Sequence, residues 1–210
     1  MLLYLKKNTI PILIEFLFII LCLILPPKNF IYINFLFYLS LFLYFIITKE
    51  FSIKEWLINL KKGKEFWKQV AITIIFFILA FVLTIFLENT FFTLDTGTIV
   101  LQRDNWFKLL LFSISTIIFP AITEETFYRK NLISFKNKPV LLMSSILSML
   151  LYAVEHALLP WGIFLTMIWA LPLTISYIKT KNIYVPMTAH FIGNLLGNGI
   201  DVITTIISLI

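Results

Sequence analysis

Seven polar side chains in the second half of the chain lie within apolar stretches, and their chemical types suit hydrolysis. They are Glu124, Glu125, Arg129, Glu155, His156, His190 and Asn194. A charged side chain at mid-bilayer costs roughly 2.5–3.5 kcal/mol, so an ionisable residue inside a membrane helix indicates function by default. A carboxylate or imidazole can activate water, and an amide or guanidinium can stabilise an oxyanion. The set therefore predicts a water-activating site built from several helices.

The first group of polar residues is the segment 124–129. On a helix, Glu125 and Arg129 are four residues apart and share a face, so we expect them to pair. Glu124 is rotated by about 100° from Glu125, which directs it into the bundle, where it suits a general base or acid. The alternative is that both glutamates reach the cytoplasmic interface, since Arg129 and Lys130 follow one turn later.

The second group lies near the far end of an apolar run, where Glu155 and His156 are adjacent. A lone histidine on an apolar helix is usually a hydrogen-bonded core residue, and His156 alone does not exclude that interpretation. Glu155 either pairs with a polar partner or faces the outer interface. The neighbours of Glu155 leave both interpretations open.

The third group begins with His190 and Asn194, which are one helical turn apart on the same face. Helical steps extend this polar stripe to Asn198 and Asp201. Such a stripe either serves chemistry or holds neighbouring helices together by hydrogen bonds. Glycines at 193, 197 and 199 would let another helix approach closely.

The composition shows which kind of protein must position these groups. Hydrophobic residues make up 60% of the 210 residues and charged residues only 13%, against roughly 45–50% and 25% in soluble domains. This excess of apolar side chains must face lipid, which excludes a soluble enzyme and a disordered chain. The single cysteine, Cys22, excludes disulfides within the chain and cysteine-based metal sites.

Seven apolar runs approach the length of about 20 residues that a membrane helix needs. They are 10–25, 30–47, 70–87, 107–133, 140–158, 161–178 and 183–209. No small-residue cleavage site follows the first run, so we expect a retained helix and not a removed signal peptide. The sequence thus predicts an all-α polytopic bundle of about seven transmembrane helices.

The basic residues sort by loop and predict the orientation. Fourteen of the 17 Lys and Arg residues fall before span one, between spans two and three, at the end of span four or after span six. Since an excess of Lys and Arg marks the cytoplasmic side, the N-terminus is predicted to be cytoplasmic. The same sorting excludes a nucleic-acid partner, because the charge follows membrane topology and does not line one face.

Two regions are predicted along the chain. Residues 1–104 would hold N-terminal transmembrane helices, which carry Glu15 as their exceptional acid, and an amphipathic segment at 48–69. That segment mixes lysines with Trp and Leu, a pattern typical of a helix in the membrane interface against anionic lipid, although a solvated connector is the alternative. Residues 105–210 would form the catalytic bundle.

The three groups together resemble the motifs of the CAAX-protease and bacteriocin-processing (CPBP, or Abi) intramembrane proteases. Those motifs are two glutamates followed by x-x-x-Arg, an aromatic residue followed by x-x-x-His, and His-x-x-x-Asn/Asp. Here they read Glu124-Glu125-x-x-x-Arg129, Tyr152-x-x-x-His156 and His190-x-x-x-Asn194. The resemblance covers about residues 105–200. Tyr152 stands where the family usually has Phe.

The resemblance implies an all-helical membrane endopeptidase, of CAAX or bacteriocin-processing type. By position, Glu124 and His156 would activate the water, His190 and Asn194 would stabilise the oxyanion, and Glu125 and Arg129 would support the site. Glu124, His156 and His190 could also ligate Zn²⁺, whereas a metal-free glutamate mechanism is the alternative. The cofactor therefore stays unknown.

The expected partners are a hydrophobic peptide or lipidated protein as substrate, and membrane lipids. The expected location is a multi-pass position in a bacterial plasma membrane. A non-cleaving bacteriocin self-immunity or membrane-binding protein on the same scaffold is the main alternative. A small transporter is a third, since intramembrane acids also suit ion relays, but the two halves show no internal repeat.

Overall fold

A computed structural model of the protein describes residues 2–91 and 93–210, with side chains from Asn8 onward. Within these ranges the chain forms eight helical segments and no β-strand. The predicted all-α fold is therefore confirmed. The helices are α1 Leu2–Ile24, α2 Phe30–Ile47, α3 Ile53–Leu60, α4 Lys64–Thr90, α5 Trp106–Asn131, α6 Lys138–Val154, α7 Pro160–Thr180 and α8 Tyr184–Leu209.

Each of the seven predicted spans corresponds to a helix. In the described part of the chain, five helices are long and apolar enough to cross a bilayer, namely those ending at Ile47, Thr90, Asn131, Thr180 and Leu209. The apolar helices at Asn8–Ile24 and Lys138–Val154 are shorter. An integral membrane protein is thus confirmed. The cytoplasmic N-terminus stays a prediction.

Polar caps fix where several helices begin. The side chains of Ser52, Asn105 and Asn137 accept hydrogen bonds from the backbone N–H groups three residues later, which starts α3, α5 and α6. Such caps satisfy donors that the first helical turn leaves without a partner. Helix α7 begins at Pro160, whose fixed φ suits the first helical turn. It ends before Lys181, which adopts a left-handed conformation with φ 50°.

The chain packs into two compact units. Unit 1 comprises Met1–Phe51, Ile99–Phe127 and Phe191–Ile210. Part of its core is made by Ile31 of α2 with Leu111 and Phe112 of α5. The rings of Phe42 and Phe119 stack with centroids 4.8 Å apart. Helices α2 and α5 are thereby held against each other, which positions the first glutamate motif.

Unit 2 comprises Ser52–Thr98 and Tyr128–His190. Hydroxyl contacts join α4 to α7, since Thr73 and Ser176 share a 2.8 Å hydrogen bond and Trp169 donates to Thr84 at 2.6 Å. The loop between α4 and α5 passes so close to Gly162 that a Cβ there would lie 2.0 Å from the backbone oxygen of Thr96. Only glycine fits at that point.

The amphipathic helix α3 packs within its unit through Trp56 and Asn59. Trp56 Nε1 donates to Thr188 Oγ1 at 2.9 Å, and Asn182 Nδ2 donates to Asn59 Oδ1 at 2.8 Å. Trp56 and Asn59 are buried, whereas Leu57 is half exposed. The helix therefore anchors the start of α8, a role that the sequence pattern did not predict. Contact of its exposed side with anionic lipid stays a prediction.

Candidate active site

The glutamate motif lies where α5 changes its helical form. The residues of Glu125–Asn131 form a π-helical stretch, directly after the α-helical turn that ends at Glu124. Such wide turns are rare and occur frequently at functional sites. Glu124, Glu125 and Arg129 are each at most 1% exposed. The alternative in which the glutamates extend to the membrane surface is therefore not observed.

Glu124 is held by a tyrosine of α2 that sequence reasoning missed. Tyr38 Oη donates to Glu124 Oε1 at 2.5 Å within unit 1. Tyr38 is buried, with 5% of its surface exposed. The sequence signal was weak, because one hydroxyl in an apolar helix does not reveal a partner 86 residues away.

Arg129 is buried in unit 2 among groups that accept its charge. Its Nη2 donates to the backbone oxygen of Ala170 at 3.3 Å, and its guanidinium carbon lies 4.6 Å from the centroid of the Tyr152 ring. The ring face offers an electrostatic partner to the cation. The Tyr152 ring thus contacts Arg129. The predicted pairing of Arg129 with Glu125 stays a prediction.

His156 lies just beyond α6, because the helix ends at Val154 and not at 158 as its apolar run suggested. A bridge between Thr98 and Ala157 fixes the following turn, and Pro160 begins the next helix. His156 Nδ1 is 2.9 Å from the backbone oxygen of Tyr152. The two rings also pack, with centroids 4.6 Å apart.

Glu155 is a buried partner of this group and does not face the outer interface. Tyr128 Oη donates to Glu155 Oε2 at 2.5 Å, and Glu155 Oε1 lies 3.5 Å from His156 Nδ1. Ser148 Oγ donates to the backbone oxygen of Tyr128 at 2.6 Å, which fixes the tyrosine in turn. The adjacency of Glu155 and His156 was visible in the sequence, but the partner Tyr128 was not.

The polar residues of α8 are shared between the two units, with His190 in unit 2 and the later ones in unit 1. His190 is 3% exposed and lies in unit 2, where its ring centroid is 6.3 Å from that of Phe77. Asn194 follows and is half-buried. Asn198 Nδ2 donates to the backbone oxygen of Thr116 at 2.9 Å. Asp201 forms a 3.3 Å ion pair with Arg103. The last part of the stripe therefore holds elements of unit 1 together.

Within unit 2, the structure brings Arg129, Tyr152, Glu155 and His156 into direct contact. Glu124 and Asn194 belong to unit 1, whereas His190 is the last residue of unit 2. A single site made of Glu124, His156, His190 and Asn194 stays a prediction. As a donor set, one carboxylate and two imidazoles suit Zn²⁺. The Nδ1 contact of His156 is also the type of outer partner that orients a metal-bound histidine.

A comparison with known protein families finds a match in this region. Residues 104–196 match the family model described as Type II CAAX prenyl endopeptidase Rce1-like. This segment is similar to that family. The match spans a little under half of the chain and contains all three motifs, from Glu124 to Asn194. The resemblance drawn from those motifs is thereby confirmed.

The Rce1-like match supports a CAAX-type intramembrane endopeptidase in general. Searches of curated proteins and of solved structures give no match. Tyr38, which binds Glu124, lies outside the Rce1-like segment. The helices before residue 104 therefore contribute a contact to the glutamate motif that the family match does not describe.

Proposed function

We propose that the protein is an intramembrane endopeptidase that hydrolyses peptide bonds of hydrophobic or membrane-associated substrates through a water activated by Glu124 and His156. The complete motif set inside an Rce1-like segment carries this proposal. The burial of Glu124 and its bond to Tyr38 support it, because a buried, oriented carboxylate suits proton transfer in an apolar environment.

In the proposed reaction, Glu124 and His156 take a proton from a water molecule as its oxygen attacks the scissile carbonyl carbon. The carbonyl oxygen becomes an oxyanion, which accepts hydrogen bonds from His190 and Asn194. The tetrahedral intermediate then collapses, the C–N bond breaks, and the leaving amine receives the proton. Glu125 and Arg129 hold the helix that carries Glu124. Each turnover consumes one water and leaves one carboxylate and one amine.

A zinc ion would be held by Glu124, His156 and His190, if the enzyme uses one. These donors suit the ion, and the outer contacts of Glu124 and His156 would orient two of them. Bound there, zinc would supply a Lewis acid and a stronger nucleophile at neutral pH. The carboxylate mechanism uses the same residues without an ion. Removal of metal distinguishes the two.

The proposed substrate is an extended peptide with apolar side chains or a prenylated CAAX protein. An apolar chain or prenyl group would partition into the bilayer beside the enzyme, since each buried methylene contributes about 0.8 kcal/mol. The Lys-rich loops and the apolar helices suit a bacterial plasma membrane, which we propose as the location.

The proposal is tested with membranes that contain the wild type or Glu124→Ala. Two peptides with one CAAX-ended sequence, one farnesylated and one not, are supplied with a pool of apolar peptides. Mass spectrometry follows the products with and without a strong chelator. We expect the wild type to cleave and Glu124→Ala to lose cleavage. Loss with chelator, reversed by Zn²⁺, indicates the metal enzyme, and no effect indicates the carboxylate mechanism.

The opposite result separates the competing function. If neither protein cleaves any peptide while both protect cells equally against a peptide toxin, the scaffold acts by binding, as a self-immunity protein would. Equal cleavage by wild type and Glu124→Ala would remove Glu124 from the mechanism. Preference for the farnesylated peptide would assign the prenyl group to recognition.

A further inference from the structure

We propose that Glu155, fixed by Tyr128, is a positioning residue that orients His156 for the reaction. The inference rests on the proposed function for the role of His156, and it adds two residues that the motif set does not include. All the groups involved lie within unit 2. Their contacts form a short chain from Tyr128 through Glu155 to the imidazole.

The first step concerns the side of the ring that His156 turns toward the protein. Its Nδ1 lies 2.9 Å from the backbone oxygen of Tyr152. A carbonyl oxygen can only accept, so Nδ1 carries the hydrogen in this contact. In the neutral ring the lone pair is then on Nε2. The contact therefore presents Nε2 as the atom that accepts a proton or binds a metal.

The second step concerns the charge beside that hydrogen. Glu155 Oε1 is 3.5 Å from Nδ1, so the carboxylate attracts the same N–H that Tyr152 accepts. Its side chain is 1% exposed, whereas that of His156 is 30% exposed. Little water competes with the carboxylate, and the low polarity of the surroundings strengthens the attraction. Glu155 therefore favours the ring orientation with Nδ1 inward, and also stabilises the imidazolium that forms when Nε2 takes a proton.

The third step concerns what holds Glu155 in place. Tyr128 Oη donates to its other oxygen, Oε2, at 2.5 Å. Tyr128 is fully buried, and Ser148 binds its backbone oxygen. The carboxylate is thus fixed at one oxygen and faces His156 with the other. A carboxylate that orients a functional histidine is a common arrangement, and loss of such a partner costs about 10–100-fold.

The inference is tested with Glu155→Gln, which keeps the shape of the side chain and removes its charge. The matched control is Glu88→Gln, which makes the same change on an exposed residue at the end of α4. His156→Ala serves as the inactive reference. We expect Glu155→Gln to lower kcat by about 10–100-fold with KM nearly unchanged, and Glu88→Gln to match the wild type. Tyr128→Phe should lose less, and the double variant should lose no more than Glu155→Gln.

A second readout does not depend on cleavage. The chain has two histidines, so ¹⁵N-histidine NMR in detergent micelles gives two sets of ring signals, and His156→Ala assigns them. In Glu155→Gln and Tyr128→Phe we expect the Nδ1 and Hδ1 signals of His156 to shift while those of His190 stay. A purely structural role would leave the His156 ring signals unchanged in protein that still folds.

The outcomes separate this inference from the proposed function. If His156→Ala is inactive while Glu155→Gln cleaves like Glu88→Gln, the positioning role is wrong and the peptidase stands. If the wild type cleaves nothing, or His156→Ala cleaves like the wild type, the proposed catalytic role of His156 is wrong. The NMR signals alone then decide whether Glu155 orients the His156 ring. Unchanged His156 signals in both variants would then overturn the positioning role.

Discussion

Helices α5 and α8 both carry polar residues through apolar sequence, but they bury them to different degrees. In α5 the motif residues Glu124, Glu125 and Arg129 are at most 1% exposed. In α8 no residue between Phe191 and Leu209 is fully buried. Polar residues in that later part contact backbone and ion-pair partners, as Asn198 and Asp201 do.

The difference shows that polar residues in membrane helices can have different structural roles. Glu124, which we propose as a catalytic residue, is held by a buried side-chain partner, Tyr38. Asn198, which binds a neighbouring backbone oxygen, holds two helices together. Glu124 and Asn198 thus differ in burial and in the kind of partner that they bind. Four predictions test this comparison, in order of decreasing effect.

The largest effect is expected from apolar residues that lie beside the polar residues of α5 and α8. Ile122→Ala in α5 removes a side chain that is 4% exposed, and we expect a loss of about 2–5 kcal/mol in the free energy of unfolding. Ile203→Ala in α8 makes the same change where the residue is 59% exposed. We expect it to change stability by about 0.5 kcal/mol or less. Denaturant unfolding in detergent gives both values, and equal losses would contradict the comparison.

The next effect concerns Asn194, which is proposed to stabilise the oxyanion. Asn194→Ala should lower kcat by about 10²–10³-fold, the usual cost of removing one such donor. Its stability should change little, because the residue is only half-buried. Steady-state cleavage of a peptide that the wild type cuts measures the loss. A variant with full activity and reduced stability would assign Asn194 to packing.

A smaller effect is expected from the tyrosine that binds Glu124. Tyr38→Phe removes one hydrogen bond to a charged group, which is worth about 1.5–3 kcal/mol. We expect kcat to fall by about 10–100-fold with KM nearly constant, since the carboxylate loses its orientation. Tyr32→Phe, at a partly exposed tyrosine of the same helix, is the control. Equal activity of the two variants would show that Tyr38 does not act through Glu124.

The smallest effect is expected from the hydrogen bond between Asn198 and Thr116. Asn198→Ala should cost about 1 kcal/mol of stability, the net value of an ordinary hydrogen bond. Its cleavage activity should equal that of the wild type, because the residue holds α8 to α5 and has no proposed part in the reaction. Thermal unfolding and cleavage on one preparation give both numbers. A large loss of activity would extend the site along the whole stripe.

Much of the fold could be predicted because it follows from local sequence. The apolar run 30–47 became Phe30–Ile47, and 161–178 became Pro160–Thr180. Helix α6 ended four residues before its apolar run did, because the turn after Val154 is fixed by contacts with residues around Thr98. Such contacts are distant in sequence and leave no periodic signal.

The site was predictable in its residue types and not in its contacts. Motif spacing predicted Glu124, His156 and His190 as site residues, and their segment lies within the family match; their roles stay a prediction. The partners Tyr38 and Tyr128 were missed because tyrosine in an apolar helix is ordinarily a packing residue. The π-helical stretch from Glu125 was also missed, because it depends on packing around the helix and not on spacing.

The central claim is that Glu124 activates the water in a peptide hydrolase, and one measurement tests it most directly. Purified wild type, Glu124→Gln and Glu88→Gln are reconstituted in lipid nanodiscs, and kcat/KM is measured on a peptide that the wild type cleaves. The account predicts a loss of about 10²–10⁴-fold for Glu124→Gln, with intact folding and a normal rate for Glu88→Gln. Equal rates for all three proteins would contradict it.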